Sequence, residues 1–345
     1  MNPEPSQMNA AVLTAPDTIE VTSVPLPAVP AGWSLVKTEY TGLCGTDFSI
    51  LHGTHPRAEF PLIMGHEITG VVAASGDSGP AEGTRVVIEP LISCGQCAPC
   101  LRGETHVCRR LGLYGIDLPG SLADYVAVPS STLIAVGGQV PAEQAALAEP
   151  LAVAVHAVDR AGLTAGDTVA VFGAGPIGIL TALVARHAGA RVVLVSEPGP
   201  ERRVLAHSLG FPVPDAGEDP IAAVAANSDG VGVDVVFDTA AHPAVAAVTT
   251  RAARVRGTIV VVGVYKKPAE VDLQAVTFSE LTMIGVRVYT RADLEKAVQL
   301  ISDDALKLDR LPIEVFPLHR TAEGFARALE AGATLKVLIS SGDAA

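Results

Sequence analysis

The sequence predicts an α/β protein with two domains, one a doubly wound parallel sheet and the other a β-rich domain of barrel type. Two observations indicate this. Residues 10–150 contain short β-rich runs broken by glycine and proline, such as WSLVKTEYTGL and EITGVVAAS. From about residue 163, strands instead alternate with alanine-rich helical stretches, as in TVAVFGAG followed by PIGILTALVARHAG. That alternation is typical of βαβ units.

The predicted domain boundaries follow from this change in the secondary-structure pattern. The chain has 345 residues, 49% of them hydrophobic, which is enough for two cores. After the last βαβ unit come helix-like ADLEKAVQLI and EGFARALEAG and strand-like TLKVLIS, which we expect to return to the β-rich domain. The predicted β-rich domain is therefore 1–151 with 290–345, and the parallel-sheet domain is 152–289.

The charge of the chain restricts its partners. A net charge of −13 repels phosphate backbones and anionic lipid, so we expect no nucleic-acid or membrane partner. Residues 168–185 are uncharged, but their glycines and proline favour a strand, a turn and a helix over a membrane span. The N-terminus has no basic region followed by an apolar core, and we expect a cytoplasmic location.

Four of the five cysteines form one cluster, Cys94, Cys97, Cys100 and Cys108, within 15 residues. Four thiolates delivered by one short segment can surround Zn²⁺ as a closed tetrahedron with no position for substrate. The alternatives are buried thiols or an iron–sulfur centre, but the x7 gap and the lack of Cys-Pro fit the ferredoxin run poorly. We predict a structural zinc in a lobe at 92–110.

The remaining cysteine, Cys44, predicts a second metal site. It lies about twenty residues before His66 and Glu67, while Glu149 precedes Pro150 at the expected domain junction, where ligand pockets commonly form. A thiolate, an imidazole and a carboxylate suit a catalytic zinc. One thiolate and one carboxylate neutralise Zn²⁺, so we expect one glutamate at a time. The alternative is a buried apolar cysteine and a structural histidine.

A glycine-rich turn predicts dinucleotide binding. Gly173, Gly175 and Gly178, with Pro176 and Ile177 between the last two, fit G-x-G-x-x-G between an apolar strand and a helix. Such a turn presents helix amides to a pyrophosphate. The alternative is a turn in another α/β fold.

The choice of coenzyme rests on the next strand. Glu197 ends that strand 19 residues after Gly178, where a carboxylate binds the ribose of NAD and repels the 2′-phosphate of NADP. Arg202 and Arg203 weaken this preference for NAD, since arginine accepts a phosphate.

Taken together, the motifs resemble those of the zinc-dependent medium-chain dehydrogenases, especially the branch of sorbitol-type polyol and 2,3-butanediol dehydrogenases. They cover nearly the whole chain: C-G-T-D at 44–47, P-L-I-M-G-H-E at 61–67, the four-cysteine lobe, E-P-L-A-V at 149–153, and G-A-G-P-I-G at 173–178. The resemblance implies a GroES-like catalytic domain and a Rossmann domain that binds NAD.

The resemblance also implies roles for single residues. Cys44, His66 and Glu149 would hold the catalytic zinc, with Glu67 as an alternate or water-bridged ligand. Asp47 would orient His66, Thr46 would touch the reacting alcohol, and Arg202 would cover the adenine. One position departs from the family: its proton-relay histidine is replaced by Ser49, so the expected relay passes from Ser49 to water, or to His52 or His55.

The implied activity is an NAD-dependent oxidation of a secondary alcohol of a polyol, sugar alcohol or vicinal diol. A sugar acid or a threonine-like amino alcohol is the alternative substrate, and His55, Arg57, Tyr114 and Tyr289 are candidates to line its pocket. From other classes, we consider an inert NAD- and zinc-binding protein and a zinc-free enoyl or quinone reductase. Apolar edge strands, as in GTIVVVGV and TMIGVRV, favour a homodimer or homotetramer.

Overall fold

The computed structural model describes residues 6–76, 78–330, 332 and 334–342. The strands are β1 (Gln7–Ala15), β2 (Thr18–Pro25), β3 (Trp33–Gly42), β4 (Leu62–Ile63), β5 (Glu67–Ala74), β6 (Arg85–Ile88), β7 (Leu91–Ile92), β8 (Gly112–Leu113), β9 (Tyr125–Pro129), β10 (Leu133–Ala135), β11 (Thr168–Phe172), β12 (Val192–Ser196), β13 (Val233–Asp238), β14 (Ala253–Val261), β15 (Thr282–Gly285), β16 (Ile313–Pro317) and β17 (Lys336–Ser340). The α-helices are α1 (Gly45–Leu51), α2 (Ala98–Leu101), α3 (Ala142–Ala145), α4 (Ala148–Ala161), α5 (Pro176–His187), α6 (Pro200–Ser208), α7 (Pro220–Ala226), α8 (Pro243–Ala252), α9 (Leu273–Phe278), α10 (Arg291–Ser302) and α11 (Thr321–Leu329).

The β-rich region is built on a mixed sheet in the order β10-β6-β5-β3-β17-β16, with β9 also paired to β3. A second sheet has the order β2-β1-β4. Strand β17, from the end of the chain, pairs antiparallel with β3 and parallel with β16. The C-terminal segment therefore lies in the β-rich sheet and meets the strand that leads to Cys44.

The second region is a parallel sheet in the order β12-β11-β13-β14-β15. All five residues of β11 are buried, as is typical of a strand covered on both faces. One core cluster joins this sheet to α4, α5 and α10, and another joins its other face to α7 and α8. The predicted α/β class with a doubly wound sheet is confirmed.

Helix α4 connects the two regions and runs across the predicted boundary at 151/152. The domain boundaries therefore stay predictions. The uncharged stretch 168–185 forms β11 and most of α5. Within the described parts of the chain, the helices are too short or too polar to cross a membrane.

Candidate metal centre and nucleotide pocket

The pairing of β3 with β5 assembles the first candidate metal centre. Gly42, at the end of β3, lies opposite Glu67, the first residue of β5. Cys44 follows two residues later as the N-cap of α1, and His66 directly precedes β5. The structure places one ligand atom each of Cys44, His66 and Glu67 within 4.8 Å of one another. A sulfur, a nitrogen and an oxygen donor thus converge in a largely buried site.

Asp47 lies behind His66 and orients it. One carboxylate oxygen of Asp47 accepts a hydrogen bond of 2.8 Å from the Cys44 amide, and the other lies 3.4 Å from His66 Nδ1. Burial is the largest single influence on His66 and lowers its pKa, but the charge and hydrogen bonding of Asp47 and Cys44 together raise that pKa well above its usual value. Because Nδ1 faces Asp47, Nε2 is left for a metal. These donors fit zinc, which prefers sulfur and nitrogen ligands with carboxylate oxygen.

A buried lysine completes the charges of this centre. Lys336 is 4% exposed, and its Nζ lies 2.6 Å from Oε1 of Glu67. Lys336 was not among the residues expected at this centre, although a lysine within the apolar run TLKVLIS signals a buried ion pair. With Lys336 present, one thiolate and two carboxylates balance Zn²⁺ and one ammonium. Two glutamate carboxylates can therefore lie beside the metal without a net charge, whereas the sequence led us to expect one at a time.

Two glycines make room for this arrangement. A Cβ atom on Gly42 would lie 2.0 Å from Oε2 of Glu67 and 3.0 Å from Cε of Lys336. Gly65 has a φ of +99°, and a Cβ there would lie 2.5 Å from Cγ2 of Thr41. Both positions require glycine, because a side chain at either would displace the residues that hold the metal donors.

Glu149 lies in the first turn of α4, 7% exposed, and close enough to the centre to interact with the charges of Glu67 and His66. Its carboxylate is not among the three donors within 4.8 Å. Burial, followed by the charge of Glu67, raises the pKa of Glu149 to about 7. The structure therefore groups Glu67, not Glu149, with Cys44 and His66.

The residues expected to handle the proton lie on and after α1. Thr46 and Ser49 are both half-buried, Thr46 in the first turn of the helix. His52 Nδ1 is 2.6 Å from Asp17 on the surface. Burial, with the charge of Arg57, lowers the pKa of His55, and His66 acts on it in the same direction. Of the two histidines, His55 is thus the one in electrostatic contact with the metal centre.

The four-cysteine lobe forms the second candidate metal centre. Ligand sulfurs of Cys94, Cys97, Cys100 and Cys108 lie within 4.8 Å of one another, with Cys97 3.4 Å from Cys100 and 3.8 Å from Cys108. Four sulfurs bound at about 2.3 Å to one tetrahedral ion lie about 3.8 Å apart. The lobe therefore has the dimensions of a tetrahedral zinc site.

Backbone amides prepare the lobe for thiolates. The Cys94 amide points to the Cys108 sulfur at 3.3 Å, and the Arg110 amide to the same sulfur at 3.3 Å. A hydrogen bond from the Gln96 amide is the main cause that lowers the pKa of Cys94 to about 5. Burial raises the pKa of Cys100 to about 11, so a cation is needed to deprotonate all four.

The predicted nucleotide turn has the geometry that its glycines suggest. Gly173 has a φ of +103°, in the left-handed region. A Cβ on Gly178 would lie 1.9 Å from the carbonyl oxygen of Gly173, so only glycine lets α5 approach β11. Gly175 is the N-cap of α5, and Pro176 and Ile177 begin the helix. The free amides of this first turn suit a pyrophosphate.

A cavity of about 880 Å³ extends from this turn along the ends of the strands. Its lining includes Gly173, Gly175, Glu197, Arg202 and Arg203. The carboxylate of Glu197 accepts hydrogen bonds of 2.8 Å from the amides of Ala174 and Gly199, which fix it at the cavity wall. Nε of Arg203 is buried without a hydrogen-bond partner among the described residues.

The other predicted pocket residues are dispersed. Arg57 donates to the carbonyl of Leu111 at 2.6 Å and pairs with Asp117 at 3.1 Å. Tyr114 is 3% exposed and packs in the core of the β-rich region. Tyr289 is fully buried beside Glu149.

Comparison with known proteins identifies the family of this chain. Residues 30–138 match the model of the alcohol dehydrogenase GroES-like domain, and residues 176–303 match that of the zinc-binding dehydrogenases. The 2-dehydro-3-deoxy-L-galactonate 5-dehydrogenase of Pseudoalteromonas atlantica is 40% identical over 304 residues, which are 87% of this chain and 89% of that protein.

Solved structures of other dehydrogenases superpose on nearly the whole chain. A candidate zinc-binding dehydrogenase of Sinorhizobium meliloti 1021, bound to NADP, superposes with a TM-score of 0.91 at 33% identity, covering 98% of this chain and 100% of the other. The 2R,3R-butanediol dehydrogenase of Bacillus subtilis gives 0.90 at 28% identity, covering 97% and 100%. The chain is therefore an oxidoreductase acting on CH–OH groups, and it belongs to the zinc-dependent medium-chain alcohol dehydrogenase family.

Proposed function

We propose that the protein transfers a hydride between a secondary alcohol of a polyhydroxylated compound and NAD, at the centre formed by Cys44, His66 and Glu67. The observation that supports this most is the convergence of three unlike metal donors in one largely buried site. A purely structural site would need four protein ligands, as the lobe has. A site with three leaves room for substrate.

In this proposal Cys44, His66 and one glutamate hold zinc, which when bound supplies a Lewis acid that makes an alcohol more acidic. Asp47 lies 3.4 Å from Nδ1 of His66, so the ring can present Nε2 to the metal. The Thr46 hydroxyl, two residues after Cys44, would accept a hydrogen bond from the alcohol and relay the proton by passing on its own. Ser49 and the largely neutral His55 are the routes by which that proton leaves.

We infer NAD as the coenzyme because the fixed Glu197 carboxylate lies at the wall of the nucleotide cavity. That negative charge suits a free ribose and opposes a 2′-phosphate. NADP is the second candidate, favoured by Arg203, which lines the same cavity and whose Nε has no hydrogen-bond partner among the described residues. Initial rates with each coenzyme distinguish the two candidates. We expect a higher kcat/KM with NAD than with NADP, and a smaller ratio between the two values in Glu197→Gln.

For the substrate we propose a sugar acid. The relative with 40% identity is named for a sugar acid. Arg57 interacts with His55, and His55 in turn with His66, which brings a cation toward the centre; the guanidinium also pairs with Asp117 at 3.1 Å. Arg57 is 42% exposed, which leaves part of its guanidinium open to a substrate carboxylate.

A substrate panel tests this proposal. Sugar acids, neutral polyols, vicinal diols and threonine are each assayed for NADH formation, and we expect the sugar acids to have the highest kcat/KM. Arg57→Met should lower kcat/KM for sugar acids at least tenfold and leave neutral polyols nearly unchanged. Arg109→Met, at an exposed lobe arginine, is the matched control.

A neutral vicinal diol is the second candidate substrate. It is favoured by the butanediol dehydrogenase among the structural neighbours and by two carboxylates beside the centre, which accept hydrogen bonds from hydroxyl groups. Equal effects of Arg57→Met on charged and neutral substrates would favour this candidate over the sugar acid.

Metal analysis separates the proposed enzyme from an inert NAD- and zinc-binding protein. We expect two zinc ions per chain, one at each centre, together with NADH formation that depends on an alcohol. One zinc per chain without turnover would support the inert protein instead.

We also propose a homodimer or homotetramer that pairs through β15. This strand ends the parallel sheet and exposes 38% of Met283, and nearby Leu273 and Phe278 are 70% and 79% exposed. An uncovered sheet edge with apolar neighbours favours pairing with another copy. Light scattering coupled to gel filtration gives the mass; a monomer at micromolar concentration would contradict this proposal.

A further inference from the structure

The turn that follows β13, residues 239–242, has a strained backbone at the wall of the nucleotide cavity. We call it the cavity turn, because Thr239, Ala240 and His242 line that cavity. Ala241 has a φ of +49°, in the left-handed region that residues with a side chain rarely adopt. Such strain persists only where neighbouring groups hold the backbone, and it is common at ligand sites. The groups that hold Ala241 in this conformation therefore bear on coenzyme binding.

The buried carboxylate of Asp238 holds the cavity turn. Asp238 is the last residue of β13. Its Oδ1 accepts hydrogen bonds from the amide of Ala240 at 3.2 Å and from the amide of Ala241 at 3.0 Å. A side chain that binds the backbone just after it stabilises a bend that the backbone alone would not favour. These two bonds therefore stabilise the left-handed conformation of Ala241.

The phenol of Tyr265 holds Asp238 in turn. Tyr265 lies shortly after β14, and its hydroxyl donates a hydrogen bond of 2.5 Å to Oδ2 of Asp238. The same hydroxyl lies 3.2 Å from the carbonyl oxygen of His242, at the end of the cavity turn. A hydrogen bond to a carboxylate is stronger than one between neutral groups. The two oxygens of Asp238 thus connect the cavity turn to a tyrosine from the segment after the next strand.

The cavity turn is also packed closely on two sides. The amide of Gly263 donates to the carbonyl oxygen of Asp238 at 2.9 Å, and a Cβ atom on Gly263 would lie 2.8 Å from Cβ of Ala241. On the other side, a Cβ atom on Gly173 would lie 2.9 Å from Oγ1 of Thr239. The cavity turn therefore lies between the segment after β14 and the glycine turn that suits a pyrophosphate. A change in its shape changes the wall of the cavity.

We propose that Tyr265 is a positioning residue for the coenzyme, which through Asp238 holds the cavity turn in the shape that binds the adenosine half. This inference rests on the coenzyme proposed above. The adenosine half is concerned because Glu197, the expected partner of its ribose, lines the same cavity. Without the phenol, Ala241 can relax toward an ordinary φ. Only a fraction of the molecules then has the binding shape, and the apparent affinity falls by that fraction.

The test is Tyr265→Phe in the full-length chain, with NADH and ADP-ribose as probes. NADH fluorescence, and its displacement by ADP-ribose, give two dissociation constants without turnover. We expect both constants to rise about fivefold to tenfold, because the variant loses a hydrogen bond to a charged group. The KM for NAD should rise by a similar factor, whereas kcat at saturating NAD should not fall, since the reacting groups are unchanged. A general structural defect would lower kcat as well.

Tyr40→Phe is the matched control. Tyr40 is also half-buried and also donates to a carboxylate, that of Glu143 at 2.8 Å, but these two residues lie outside the lining of the nucleotide cavity. This variant should keep both dissociation constants of the unmodified protein.

Ala241→Gly is the second test, because glycine adopts a positive φ without the steric cost of a side chain. When it is added to Tyr265→Phe, the strained turn needs less support, and both dissociation constants should fall back toward those of the unmodified protein. A thermal unfolding curve shows whether Tyr265→Phe is folded. If it is not, Asp238→Asn replaces it with the same expected direction, since an amide is a weaker acceptor for the phenol than a carboxylate.

Three results would overturn the inference. Unchanged affinity for NADH and ADP-ribose in Tyr265→Phe would mean that the phenol only packs. An equal loss of affinity in Tyr40→Phe would mean that the effect is not specific to the cavity turn. Dissociation constants that stay raised after Ala241→Gly is added would mean that the phenol does not act through the strained backbone. Failure of the proposed coenzyme is distinguishable, because the unmodified protein would then not bind NADH.

Discussion

The two candidate metal centres of this chain are assembled in opposite ways. The lobe takes four like donors from residues 94–108, a single local segment. The proposed catalytic centre combines unlike donors from the end of β3 and the start of β5, with Lys336 from β17 and Glu149 from α4 around them. The lobe is thus a closed site made by a loop, and the catalytic centre is an open site made by the fold.

The largest expected effect separates the two centres by function. Cys44→Ala should lower kcat/KM roughly 10³-fold or more, because it removes a ligand of a cation that contributes several kcal/mol to transition-state stabilisation. Metal analysis should show one zinc per chain, retained in the lobe. A variant that keeps most of its activity would contradict the proposed catalytic centre.

The next prediction concerns the long-range pair that only the catalytic centre has. Lys336→Met should lower the free energy of unfolding by about 3–5 kcal/mol, because it leaves the Glu67 carboxylate buried without its partner. Denaturant titration measures this loss. Lys37→Met, at an exposed position of β3, should change stability by less than about 0.5 kcal/mol. An equal loss of unfolding free energy in the two variants would show that the buried Lys336–Glu67 pair stabilises the fold no more than an exposed lysine does.

The third prediction uses pH and the metal-depleted protein. The pKa of Glu149 is raised to about 7 in the folded state, so the folded state binds this proton more tightly than the unfolded state. Stability should therefore fall by up to about 3 kcal/mol as pH rises from about 4.5 to about 7. Glu149→Gln should lose this decline, and Glu59→Gln, at an exposed carboxylate, should keep it. Parallel pH curves for parent and Glu149→Gln would refute the prediction.

The smallest effect on turnover should come from the lobe. Cys108→Ser should remove the lobe zinc and lower the unfolding temperature, while kcat/KM below that temperature falls less than about tenfold, because the lobe has no open ligand position. Zinc content and initial rates on the same sample measure both. A loss as large as that of Cys44→Ala would show that the two centres are not functionally separate.

Much of the fold and of the two candidate metal centres could be predicted from the sequence, because the motifs that indicate them are local. The α/β class follows from the order of successive strands and helices along the chain. The glycine turn at 173–178 and the cysteine lobe each lie within one short segment, where residue spacing fixes the geometry. The sequence also indicated Cys44, His66 and Glu67, because a thiolate, an imidazole and a carboxylate suit a catalytic zinc and stand in motifs that resemble those of the family. It missed Lys336, which is 269 residues from its partner Glu67.

The sequence by itself thus determined the donors that are available and the fold that carries them. Only the tertiary structure decided how they are grouped: that β17 pairs with β3 and brings Lys336 to Glu67, and that Glu149 lies outside the three donors beside Tyr289. The physical reason is that burial and charge pairing depend on contacts between distant segments. Strand pairing sets these contacts, and residue spacing along the chain does not encode them.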